Sequence, residues 1–134
     1  MTRGVKQAFC VFLMSALLSL PSYARTQSTQ VAARGAVLRM QVTAYCVDGE
    51  TASGKQTRAG IVAADPAILP LGSIIRVRGL RGRHNRSYAV EDTGRQVKGR
   101  TIDIFMHDCR AAKKFGRQRA RVQVIRRGEP PASR

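Results

Sequence analysis

At 134 residues the chain has room for one domain with a modest core. Its 24 Lys and Arg against 8 Asp and Glu leave a formal charge of +16, which attracts polyanions in general. Aromatic residues make up only 5% and tryptophan is absent, so the stacking rings of a nucleic-acid groove are missing and nucleic acid is not expected as a partner.

Met1 to Gln7 carries Arg3 and Lys6, Ala8 to Leu20 is an apolar and small-residue run of 13, and Ser22-Tyr23-Ala24 offers small residues to a signal peptidase. The run is shorter than the roughly 18 residues of a membrane-spanning helix. Residues 1–24 therefore read as a cleaved secretory signal, with an uncleaved anchor as the alternative. Cleavage leaves no stable membrane span and places the chain in the periplasm or the extracellular cell wall. With Arg3 and Lys6 gone, 22 basic residues face 8 acidic ones, a net charge of +14. The polyanions then within reach are cell-wall polymers, outer-membrane lipopolysaccharide and anionic lipid headgroups, unless the charge serves only solubility. Export also governs the cysteines. Once Cys10 is removed, Cys46 and Cys109 form an even pair in an oxidising compartment, so a single disulfide leads, and a catalytic thiol served by His107 is the other reading.

Residues 25–35 are polar and aperiodic, a flexible lead-in. Ala36 to Tyr45 sets Leu38, Met40, Val42 and Ala44 against Val37, Arg39, Gln41 and Thr43, which predicts a half-buried first strand. Residues 47–60, VDGETASGKQTRAG, read as a functional loop too polar to pack, with hydroxyls available to a sugar. Ile61 to Ala64 runs into Asp65-Pro66, where Asp65 would cap one helical turn from Pro66 to Leu69. Ser73 to Arg78 alternates, Arg81 to Asn85 makes a basic turn, and Ser87 to Glu91 completes a hairpin. After the turn at Asp92-Thr93-Gly94, Thr101 to Phe105 forms another strand. Asp108 caps a short helix, Cys109 to Phe115, that Gly116 stops, and Arg119 to Ile125 alternates as the last strand. Residues 128–134 are disordered by composition. About six short strands with two brief helices predict an all-β single domain over residues 36–127, a small closed barrel whose closure hides the strand edges. A monomer is expected.

Asp92 and Asp103 each stand where alternation calls for an apolar or neutral side chain. A buried, unpartnered carboxylate costs several kcal/mol, so each must be paired, hydrogen-bonded or held neutral. An acid held neutral can donate a proton.

TAYC at Thr43 to Cys46, TASG at Thr51 to Gly54, AADPAILPLGS at Ala63 to Ser73, EDTG at Glu91 to Gly94, KGRTIDIF at Lys98 to Phe105 and AAKKFG at Ala111 to Gly116 follow in fixed order. In order and spacing they resemble the 3D domain, a family named for three aspartates and found in membrane-bound lytic transglycosylase A and small secreted bacterial cell-wall enzymes. The resemblance spans Met40 to Val124. It implies a six-stranded double-psi β-barrel that cleaves peptidoglycan glycan strands, with the family aspartates at Asp65, Asp92 and Asp103. By resemblance Asp103 is the catalytic acid/base and Asp92 helps form the site. Arg95 stands where the family usually has a second glycine after Asp-Thr-Gly. No cofactor is implied.

Such an enzyme needs one group that protonates the glycosidic oxygen and then takes the proton of the C6 hydroxyl as a 1,6-anhydro ring closes. Ordinary glycosidases need two carboxyls. An aspartic acid protonated near neutral pH requires a shift of roughly 3 units, about 4 kcal/mol, which burial and a like-charged neighbour supply together. Asp103 is thus expected to be the acid/base, Asp92 to raise or orient it, and Asp65 to order the site from the Pro66 turn. Thr43, Tyr45, Thr93, Gly94 and Lys98 are the candidate substrate contacts. The bland alternative makes all three aspartates turn residues that accept backbone amides. A non-catalytic wall-binding module on the same barrel is the rival function. A metal site at His107, Asp103 and Asp108 lacks a recognised ligand spacing, and none is expected.

Overall fold

The computed structural model describes residues 31–129. Strand alternation sets its elements: β1 (Val37–Tyr45), β2 (Ile61–Ala64), β3 (Ile74–Arg78), β4 (Ser87–Asp92), β5 (Thr101–Phe105) and β6 (Gln118–Arg126), with one α-helix, α1 (Cys109–Phe115), between β5 and β6. The strands close into a six-membered barrel in the order β1-β5-β2-β4-β3-β6. Met40, Val42, Val62, Ala64, Ile75, Val77, Tyr88, Val90, Ile102, Ile104, Val122 and Val124 point inward as the core, while β2 is apolar and buried on both faces.

Two pairs, β1 with β5 and β2 with β4, are parallel, and the other four are antiparallel. Parallel neighbours require crossover connections. The 46–60 segment carries the chain from β1 past β5 to β2, and the 93–100 segment carries it from β4 past β2 to β5. Both connections leap one strand of the β1-β5-β2-β4 half, an arrangement compatible with the double-psi barrel that the resemblance implies.

The helix is as the sequence predicts: the Asp108 carboxylate accepts the Arg110 amide at 2.8 Å, and Gly116 ends the helix at φ 63°. Cys46 and Cys109 are joined in a disulfide with Cα atoms 5.0 Å apart, which ties the end of β1 to the start of α1 and leaves no thiol for catalysis at either position.

Pro66 to Leu69 does form the single turn expected, closed by the Asp65 carbonyl accepting the Ile68 and Leu69 amides and capped by its carboxylate on the Ala67 amide. Several other expectations are corrected. Gly82–His84, read as part of a basic turn, is a short 3-10 helix. Residues 31–35 of the lead-in lie against the barrel, because the Ala32 amide donates to Ile68 O at 2.9 Å and that of Gly35 to Val124 O at 2.7 Å. Gly128, placed by composition in the tail, donates to Ser73 Oγ at 2.9 Å, and an added Cβ there would meet Leu71 O at 2.0 Å. The expected signal at 1–24 and most of the tail lie outside the described residues. Among the described residues no helix is long and apolar enough to cross a membrane.

Candidate active site

The site begins with a register fault. Val62 of β2 pairs Val90 of β4, but the next residue, Ala63, pairs Asp92, so Glu91 is an extra residue in β4. Such a bulge re-aims the side chains beside it. Tyr88 and Val90 point into the core, and strict alternation would send Asp92 in after them. The bulge instead sets Asp92 level with Ala63, and Ala63 pairs Asp103 of β5, which pairs Thr43 of β1. Asp92, Ala63, Asp103 and Thr43 therefore form one row across four strands on the outer face.

The row is hydrogen-bonded. Thr43 Oγ1 donates to Asp103 Oδ1 at 2.9 Å, and the Tyr45 hydroxyl donates to Asp92 Oδ2 at 3.2 Å. Asp92 Oδ1 accepts the amides of Ala52 at 3.0 Å and Thr93 at 2.8 Å. Asp103 is half-buried, and Thr43 on Oδ1 is its side-chain hydrogen-bond partner among the described residues. Burial pushes the Asp103 carboxyl above its ordinary value; the Thr43 hydrogen bond works the other way, and the Asp92 charge adds to the rise. Burial, then the charge and hydrogen bond of Asp92, hold the Tyr45 phenol well above its usual value, so Tyr45 remains a donor. Phe105, on Asp103's face, is buried edge-on against Tyr45 with ring centroids 5.4 Å apart and outside the main core. Ile102 and Ile104, the sequence neighbours of Asp103, point to the opposite face and belong to the core.

The other candidates are placed differently. Asp65 uses both oxygens on backbone, Oδ1 accepting Ala67 N at 3.0 Å and Oδ2 accepting Gly99 N at 2.7 Å, so it ties the Pro66 turn to the segment before β5. Thr93 reaches the site through its amide, and Gly94 packs against Val97, where a Cβ would come within 2.7 Å of Cγ2. Lys98 is exposed and forms no ion pair among the described residues. His107 packs edge-to-face against Phe105, with Nδ1 4.0 Å from Asp48.

Sequence reasoning missed the device that holds the 46–60 segment. Glu91, the bulge residue, is buried and paired with Arg58, whose Nη2 lies 2.6 Å from Oε1, and with Lys55 at 3.2 Å. The Arg58 hydrogen bond drives the Glu91 carboxyl below its ordinary value against its burial, with Lys55 assisting. Thr51 is buried and Ser53 N donates to Glu91 O at 3.0 Å, so this segment packs through hydrogen bonds, contrary to the expectation from its polarity. The available signal was its two cations, Lys55 and Arg58, and the glutamate beside Asp92.

Residues 60–126 match the 3D domain, half of the chain. The chain belongs to the 3D domain family. Among relatives, Bacillus subtilis YabE, whose name describes it as cell wall shaping, is 31% identical over 101 residues, covering 68% of this chain and 23% of its own length. The B. subtilis cell wall-binding protein YocH is 33% identical over 97 residues, covering 66% of this chain and 32% of its own. This 3D chain thus spans a third or less of those two relatives. Among solved structures, MltA from E. coli, a lytic transglycosylase, superimposes with a TM-score of 0.50 at 22% identity, covering 60% of this chain and 28% of that one, a likeness of fold.

Proposed function

We propose that this 3D domain is a peptidoglycan lytic transglycosylase, exported to the periplasm or the extracellular wall, with Asp103 as its single acid/base. The observation that carries this reading is a half-buried carboxyl, raised in pKa, held by Thr43 on one oxygen and set level with a second carboxylate on the outer face. Protonated Asp103 gives its proton to the glycosidic oxygen between N-acetylmuramyl and N-acetylglucosamine as that oxygen's bond to C1 breaks. Asp103, now a carboxylate, removes the proton of the C6 hydroxyl while O6 bonds to C1. A 1,6-anhydromuramyl end forms, the acid is regenerated, and no water is consumed. Asp92 adds charge that favours the protonated acid and is itself fixed by Tyr45 and two amides. Asp65 acts at one remove by ordering the start of β5.

The test is digestion of purified peptidoglycan with mass analysis of the soluble fragments. The wild type should release anhydromuramyl products, and Asp103→Asn should lower their formation by at least about 100-fold, the lower range for a lost general acid. Reducing-end products would mean hydrolysis and a second carboxylate. A wall-binding module is the second reading, favoured by the cell wall-binding relative, and is supported if sacculi are bound with no product formed.

A further inference from the structure

On the other side of the barrel, Arg78 of β3 pairs Arg121 of β6, and Arg121 pairs Arg39 of β1. Three arginines thus lie in register across adjacent strands, roughly 4.8 Å apart at the backbone, on the outward face. Like charges directly opposite destabilise a sheet, so folding alone does not account for the row. In the flanking rows Arg119 pairs Gln41 and Arg76 pairs Gln123. A hollow of about 530 Å³ opens over β1 and β6 beside this row, lined by two of its members, Arg39 and Arg121, together with Met40, Gln41, Arg100, Arg119 and Ala120. All eight acidic side chains fall within residues 31–129, and the ion pairs formed there use Glu91 and Asp48, so among the described residues no carboxylate pairs with these arginines.

We propose that this hollow binds phosphate groups carried on a saccharide or polyol polymer of the cell envelope. Guanidinium forks match phosphate oxygens, and a strip spanning three strands suits charges repeated along a chain better than a lone anion. Gln41 supplies an amide for hydroxyls, and no aromatic ring lines the hollow to stack a base. The site is separate from the aspartate row and independent of cleavage, although both use the outward face of β1, where Arg39 and Gln41 precede Thr43 and Tyr45.

The experiment measures binding of inorganic tripolyphosphate to the full chain by calorimetry, then co-sedimentation with sacculi that carry phosphate polymers and sacculi stripped of them. Arg39→Gln combined with Arg121→Gln should weaken tripolyphosphate binding roughly 100-fold, about tenfold per arginine. It should also abolish the preference for unstripped sacculi. Arg83→Gln combined with Arg110→Gln removes the same charge elsewhere and should leave both nearly unchanged. The melting temperature of the Arg39/Arg121 variant should be equal or higher, since facing like charges are removed. Equal weakening in both double variants would reduce the effect to net charge and overturn the proposal. So would equal affinity for a carboxylate polymer such as polygalacturonate, or retention by phosphatidylglycerol vesicles without retention by sacculi.

Discussion

Asp103 is held by opposing effects, and each side chain that produces them gives a measurable consequence. Because burial raises its folded-state pKa, the folded protein is penalised once Asp103 ionises. The penalty is absent below the unfolded value, grows as pH rises, and is complete above the folded value. Asp103→Asn should therefore melt with the wild type near pH 3 and above it at pH 8, a difference that thermal scans across pH would show. Thr43 opposes the rise by donating to Oδ1. Thr43→Val should move the alkaline limb of the cleavage profile to higher pH, whereas Thr43→Ser should leave it in place; an unmoved limb in the valine variant would remove Thr43 from the acid's control. Gly94 is needed for close approach: Gly94→Ala drives a Cβ to 2.7 Å from Val97 and should cost about 1 kcal/mol or more in chemical denaturation, largely recovered by adding Val97→Ala.

Among the elements, the β4 bulge and the 46–60 segment act together. The bulge turns Asp92 outward, and Glu91 receives Lys55 and Arg58 from the segment, whose Ala52 amide also meets Asp92. Glu91→Gln leaves two cations facing a neutral amide and should destabilise by about 1–2 kcal/mol, since both cations are partly solvated. Its carboxyl is lowered in the folded state, so its stabilisation is present above the unfolded value and lost as pH falls through the folded one. The wild type and Glu91→Gln should accordingly converge in denaturant stability on acidification. The disulfide pins the other end of the segment across a sequence separation of 63 residues. Replacing both Cys46 and Cys109 by serine should cost on the order of 4 kcal/mol by the chain-entropy estimate, read from the denaturation midpoint.

For the whole molecule, closure gives the β-sheet no free edge and leaves two chemically distinct outer faces, acidic groups across β4-β2-β5 and arginines across β3-β6-β1. The excess of basic residues predicts that the proposed wall binding is electrostatic: pelleting with sacculi should fall steeply between about 50 mM and about 500 mM salt as the Debye length contracts to several Å. Salt-independent pelleting would point to recognition of neutral sugar instead.

The sequence by itself determined the strands, the helix and its cap, and the family, because alternation, capping and motif order are local and survive without a partner strand, while the disulfide, which it favoured over a free thiol, was decided by the approach of β1 to α1. Asp103 stands out in the sequence for a reason the structure corrects: Ile102 and Ile104 face the core, so alternation puts a polar side chain at 103, and what sets Asp103 apart is its half-burial beside Phe105 on the outer face. Only the tertiary structure decided that Asp92 shares its face, since that depends on a one-residue slip between β2 and β4. It likewise decided that both oxygens of Asp65 are spent on backbone amides, and that Glu91 anchors a polar segment. Strand pairing also decided that arginines far apart in the chain stand in one row. Register is a relation between strands, and no single strand encodes its neighbour's phase.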